Sequence, residues 1–171
     1  RKESSAASDV YKRQTDGSLD MAAPVSASTA TGLNGKDGLT VKEGATTDKV
    51  LLAYNNGTDS LLSDEQARKA FRYQIDAAGI ASAQPDAAGA LGGPISLLEP
   101  GYEDLTGLYP HDENQAGQMF SYFGAQYLTT VNLVVPEEYR SLAETIKQQI
   151  ERQPRPTVNL EVLSDAVSYT H

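Results

Sequence analysis

Residues 127–163 read YLTTVNLVVPEEYRSLAETIKQQIERQPRPTVNLEVL. Tyr127, Thr129, Val131, Leu133 and Val135 alternate with other residues, the period of a strand with one buried face. Pro136 suits the first position of a helix, because its missing N–H would have no helical partner there. Glu137 and Glu138 then face the positive end of the helix dipole. Tyr139, Leu142, Ala143, Ile146 and Ile150 recur at helical spacing until Pro154 and Pro156, which predicts a helix over 137–152. Val158, Leu160 and Val162 alternate again, predicting a strand over 158–163. A strand–helix–strand run with a crossover of this length predicts parallel neighbours and a right-handed connection. The fold class is therefore α/β, with at least part of a parallel sheet.

Upstream, Asp112 caps a predicted helix over 113–123, with Ala116, Phe120 and Phe123 inward and Gly124 as its stop. Ser63 and Gln66 form a capping box. Ala67, Ala70, Phe71, Ile75 and Ala78 keep helical spacing behind it, predicting a helix over 64–78. Asp48 to Asn56, DKVLLAYNN, reads as a buried strand ending in a turn at Gly57. Leu39 to Lys42 alternates and reads as a short strand. One short helix fits Ser26–Leu33, and Asn34-Gly35 and Asp37-Gly38 are turn dipeptides. Residues 79–110 are rich in Gly and Pro and are expected to be irregular, with one short helical turn. A segment of that length inside a compact domain wraps a surface or lines a site.

The chain has 171 residues, 14 Lys plus Arg and 23 Asp plus Glu, for a net charge of -9. This balance argues against a nucleic-acid partner, which needs clustered cations. Cysteine is absent, which excludes disulfides, thiolate metal sites and cysteine nucleophiles. No apolar run approaches the length of a membrane span, and Arg1–Gln14 lacks the apolar stretch of a signal peptide. Arg1–Gln14 (RKESSAASDVYKRQ) and the end Ser168–His171 resemble translated sequencing adapters. Both are set aside as tails, and the native part is expected to be truncated at both ends. Residues 1–14 carry a net +2, so the remainder stands at -11.

Few residues point to chemistry. His111 stands just before a predicted helix, and no Gly-x-Ser-x-Gly elbow accompanies it. His111, Asp112 and Glu113 are adjacent and diverge at a helix start, which is a poor metal set. The pairs Glu103/Asp104 and Glu137/Glu138 are sequence neighbours and cannot face each other across a bond. Asn34–Gly38 and Gly92-Gly93-Pro94 are too short to cradle phosphate. Tyr54, Tyr73, Tyr102, Tyr109, Tyr122, Tyr127 and Tyr139 carry the polar handle that suits binding clefts as well as core rims. Asn55 and Asn56 lie where a polar cleft edge or a plain Asn-Gly turn could stand, and residue type favours the turn.

The order of these segments resembles the family 5 extracellular solute-binding proteins, the peptide- and nickel-type receptors of ABC importers. Ala67–Asp76, ARKAFRYQID, is similar to that family's helix of the type VRQAxxYAID. Tyr109-Pro110-His111-Asp112 with Gln115-Ala116 is similar to its second helix, and Ala143–Ile150, AETIKQQI, to its third. Ala23–Ser26 and Val41–Thr47 look like its approach to the strand VLLAYNN. The likeness spans nearly all of residues 19–165. Gln74 departs from a usual Ala, Gly117 sits mid-helix at a cost of about 1 kcal/mol relative to Ala, and the segment just after Asp76 lacks the usual basic residue.

The resemblance implies part of a two-lobed periplasmic-binding-protein-like fold with a mixed or parallel sheet. Residues 15–55 would end the first lobe and run into the hinge, and 56–167 would be part of the second. It implies a monomeric, non-catalytic receptor outside the cytoplasm. That receptor would take a peptide, nickel chelate or similar solute without a cofactor and hand it to permease subunits. Tyr54, Asn55 and Asn56, at the hinge, would be the residues nearest the ligand. Two other readings remain: a piece of a secreted α/β hydrolase using His111, and a non-catalytic interaction domain. As a lobe without its partner strands, the chain is expected to be marginally stable and to bind no small ligand tightly.

Overall fold

A computed structural model describes residues 13, 16–17, 20–21, 27–36, 38–124 and 129–164. The predicted tails, apart from Arg13, lie outside these residues, as do Tyr127 and Leu128 of the first predicted strand. The chain divides into two units, one of residues 1–46 and 84–88, the other of 47–83 and 89–171.

In the first unit, helix α1 spans Ala27–Leu33, and the Asn34 N–H closes it onto the Ala30 carbonyl at 3.0 Å. Gly35 follows at φ 80°, a left-handed conformation that glycine adopts without a Cβ penalty. The strand predicted at 39–42 does not form. Only Leu39 and Val41 are apolar there, and neither is fully buried, so nothing offsets the cost of ordering a strand.

The second unit holds α2 (Glu65–Gln74), α3 (Ala77–Ala83), α4 (Glu113–Gly124), β1 (Thr130–Pro136), α5 (Arg140–Ile150) and β2 (Thr157–Leu163). The βαβ expectation holds: β1 and β2 are parallel, with Val131 opposite Val158 and Leu133 opposite Leu160. Pro136 is not the first helical residue. It ends β1, and a 3₁₀ turn over Glu137–Tyr139 leads into α5. Its φ of -63° and ψ of 157° still belong to extended backbone.

The strands share more than alternation. β1 reads TVNLVV from Thr130 and β2 reads TVNLEV from Thr157, and the two copies pair in register. Val131, Leu133 and Val158 face the core, whereas Val134 is exposed. On the other face the Thr130 and Thr157 hydroxyls lie 3.1 Å apart, and Asn159 Nδ2 donates to Asn132 Oδ1 at 3.0 Å.

The helix predicted over 64–78 is two helices. Asp64, not Ser63, is the N-cap, its carboxylate accepting from the Gln66 N–H at 2.7 Å. Ser63 is instead the last residue of a 3₁₀ turn over Leu61–Ser63, which Ser60 caps. α2 ends at Gln74 because Ile75 turns extended and the Asp76 carboxylate accepts from the Gly79 N–H at 2.8 Å. An aspartate at this point starts a new helix. α4 begins as expected, with Asp112 Oδ1 accepting from the Gln115 N–H at 2.9 Å.

Ala70, Phe71, Ala116, Phe120, Ile150 and Val158 form the core, with Phe71 and Phe120 edge to face at 5.0 Å. Beside it lies a glutamine staple. Gln74 is fully buried and donates to the Gln149 carbonyl at 2.6 Å. Gln153 Nε2 donates to Gln74 Oε1 and to the Glu113 carbonyl, both at 2.9 Å. Gln149 Oε1 accepts from the Asp76 N–H at 2.9 Å. Gly117 makes room for it, since a Cβ there would stand 2.7 Å from Gln153 Oε1. Gln74 and Gly117 therefore belong to one arrangement.

Candidate functional site

The run Asp48–Asn56 was expected to be a buried strand and is not one. It has no strand assignment, and Val50 and Leu51 are 59% and 60% exposed. Four apolar residues in a row favour burial only when another surface covers them, and none does so among the described residues.

The run is held at two points. Lys49 donates to the Pro94 carbonyl at 2.9 Å and pairs closely with the Glu99 carboxylate. Glu99 also accepts from the Ser96 N–H at 2.7 Å. These bonds favour the ionised carboxylate and bring its pKa down to about 2, with Lys49 the larger cause and Ser96 the next. Tyr54 is the second anchor. Its ring packs 6.1 Å from that of Phe71, and burial pushes its hydroxyl up to about 12 despite the opposing charges of Arg72 and Arg68.

Asn55 and Asn56 sit beside Tyr54, but their carbonyl oxygens serve local structure. Asn55 Oδ1 accepts from the Gly57 N–H at 2.9 Å, the geometry of an Asx turn. Asn56 Oδ1 accepts from Arg68 Nη1 at 2.9 Å. The same nitrogen closes the carbonyls of Leu62 and Ser63 at 2.7 and 2.8 Å.

A second aromatic group flanks α2. The Arg72 guanidinium lies 4.5 Å over the Tyr109 ring, and Tyr73 meets that ring edge-on at 5.6 Å. Arg72 also donates to the Gly92 carbonyl at 3.2 Å. Gly92 is required there, because a Cβ would lie 2.2 Å from the Leu105 carbonyl carbon. The Gly-Pro loop is thus packed under the 104–106 backbone and tied to α2.

His111 is exposed, with Nε2 3.6 Å from Glu113 Oε1. That oxygen also accepts from Arg152 at 2.6 Å, so the group ties the start of α4 to the end of α5. Among the described residues, no group of three or more His, Asp or Glu is placed to hold a metal, and no helix is long and apolar enough to cross a membrane. A shallow depression between α2 and α4, lined by Gln66, Gln118, Met119 and Tyr122, lies apart from Asn55 and Asn56 in sequence and makes no use of them.

Sequence reasoning placed Tyr54, Asn55 and Asn56 together but missed the Lys49–Glu99 tether. Fifty residues separate the pair, and neither belongs to a motif. The groups that do assemble offer aromatic faces and amides, which suit binding through stacking and hydrogen bonds.

No family model matches the chain, and no curated protein matches it. Among solved structures it is similar to the oligopeptide-binding protein AppA from Bacillus subtilis, in complex with a nonapeptide. The identity is 17% and the TM-score 0.48, over 61% of this chain. The chain spans about a quarter of that protein's length, 24%.

Proposed function

We propose that this chain is part of a two-lobed, non-catalytic solute receptor of an ABC importer. Residues 15–55 end one lobe, the Tyr54–Asn56 stretch lies at the hinge, and 56–167 belong to the other lobe. The ligand is a peptide or a similarly sized solute held without a cofactor. The partners are permease subunits, and the site of action is outside the cytoplasm. The motif order over residues 19–165 supports this reading. The observation that carries it is the run Val50-Leu51-Leu52. It is exposed on its own, yet is anchored by Lys49 before it and by Tyr54 after it. An apolar segment held at both ends in this way suits a crossing between lobes, where a second lobe covers it.

Calorimetry with peptide pools on the longest native chain containing this sequence tests the proposal. The expected result is micromolar binding or tighter, about -8 kcal/mol, weakened by Tyr54→Ala. The 171-residue chain, with one wall of a cleft, binds far more weakly. Absence of binding by the longer chain to peptides and nickel chelates overturns the reading. So does a hydrolytic turnover that His111→Ala abolishes. Genes for two permeases and two ATPases beside this one are the expected neighbourhood.

A further inference from the structure

One position on the edge of β2 away from β1 is occupied, at Val158. Thr157 donates its N–H to the Thr129 carbonyl at 3.0 Å, toward β1. Peptide groups alternate sides along a strand, so those of Val158 point away from β1. Both are taken by side chains of α5 and the residue after it. Glu151 Oε1 accepts from the Val158 N–H at 2.9 Å, and Lys147 Nζ donates to the Val158 carbonyl at 2.6 Å. The two side chains also pair with each other at 3.3 Å.

What these charges hold off is legible in the sheet itself. β2 already pairs along one edge with TVNLVV, a near copy of its own TVNLEV. Its other edge presents the same backbone to the same sequence. The amide ladder has a direction: Asn159 Nδ2 is given to Asn132, which leaves Asn159 Oδ1 to accept from the next asparagine. Stacked identical strands with asparagine ladders extend readily once an edge is open. Natural sheets block such edges with charge.

We infer that Lys147 and Glu151 form a guard at Val158, on the edge of β2 away from β1, against addition of the Thr130–Val135 strand of a second copy of this chain. A third strand must first strip two charged partners from the Val158 peptide groups. Without the guard the ladder continues in the same register. The inference does not depend on the receptor reading, because it concerns only β1, α5 and β2.

The test uses the full chain and a soluble, fluorescently labelled peptide of sequence TVNLVV. The native chain is expected to leave the peptide unbound. Lys147→Ala with Glu151→Ala is expected to bind it at least about tenfold more tightly, and to sediment as larger species than the native chain at equal concentration. Adding Asn159→Asp to that variant is expected to reverse both effects. Equal binding by native and double-variant chains overturns the inference, as does a double variant that keeps its circular dichroism and neither binds nor self-associates. If the double variant unfolds, the single variant Glu151→Ala, which removes the side-chain acceptor of the Val158 N–H, decides by the same measurement: peptide binding about tenfold tighter than by the native chain supports the guard, and equal binding overturns it.

Discussion

Two apolar runs in this chain meet opposite fates. Val50-Leu51-Leu52-Ala53 lies open to solvent, whereas Val131–Val135 sits in a sheet with Val131 and Leu133 against the core. Apolar content does not separate them, since the exposed run is the more continuous. The second run has a partner of nearly its own sequence, delivered by a helix whose apolar stripe covers the same face. The first has an anchor at each end and, among the described residues, nothing that covers its length. Pairing, more than hydrophobicity, decides which extended segment becomes a strand.

The largest expected contrast lies between the core and the open run. Phe120 is 2% exposed, so Phe120→Ala is expected to cost about 3–5 kcal/mol. Leu51→Ala is expected to stay within about 0.5 kcal/mol in this chain. Urea unfolding of both variants measures the difference. A loss of more than about 2 kcal/mol for Leu51→Ala would show that the run is covered after all.

A smaller effect tests the glutamine staple. Gln74→Ala removes a buried group bonded to Gln149 and Gln153 and is expected to cost about 1–3 kcal/mol. Gly117→Ala is expected to destabilise the native chain by displacing the Gln153 amide. In a Gln153→Ala background the same change is expected to stabilise by up to about 1 kcal/mol, because alanine is the better helix former. A double-mutant cycle reads the coupling, and additive effects would separate the two residues.

The anchors of the open run give the smallest signals, in pH. The folded pKa of Glu99 lies near 2, below its unfolded value of 4.5. Its contribution is present above about pH 4.5 and is lost as pH falls toward 2. Lys49→Met is expected to flatten that acid limb. Tyr54 shifts the other way, from 10 to about 12. Its contribution is complete below pH 10 and is lost as pH rises to 12, and Tyr54→Phe is expected to remove that loss. Thermal melts across both ranges check these slopes, and unchanged slopes in the variants would detach the anchors from the run.

The βαβ unit was legible because three periodic patterns followed one another, with Pro136 marking the end of the first strand although the helix starts only at Arg140. The Asp112 cap was legible for the same local reason. The division of 64–78 was harder, since Ala78 continued the stripe and hid the competing cap at Asp76. The TVNL repeat was in plain view, but alternation alone does not ask whether two strands share a sequence. Tyr54, Asn55 and Asn56 were found as neighbours. The turn at Asn55 is the reading that residue type favours, whereas the bond of Asn56 to Arg68 depends on a side-chain direction that residue type does not carry. The glutamine staple joins residues far apart in the chain, and no periodicity reports such a contact.

That staple has a consequence for the time course of folding. The Gln74–Gln149 bond joins residues 75 apart, whereas the paired strands meet across a separation of 27. Ideal loop closure makes the longer contact dearer in entropy by about 0.9 kcal/mol. The strand pair with its intervening helix is therefore the earlier structure to form, and α2 docks onto it afterwards. A contact made after the rate-limiting step holds the native state without hastening its formation. Gln74→Ala should then speed unfolding in stopped-flow experiments and leave the refolding rate nearly untouched. A refolding rate that falls in proportion to the lost stability would place the staple in the nucleus instead.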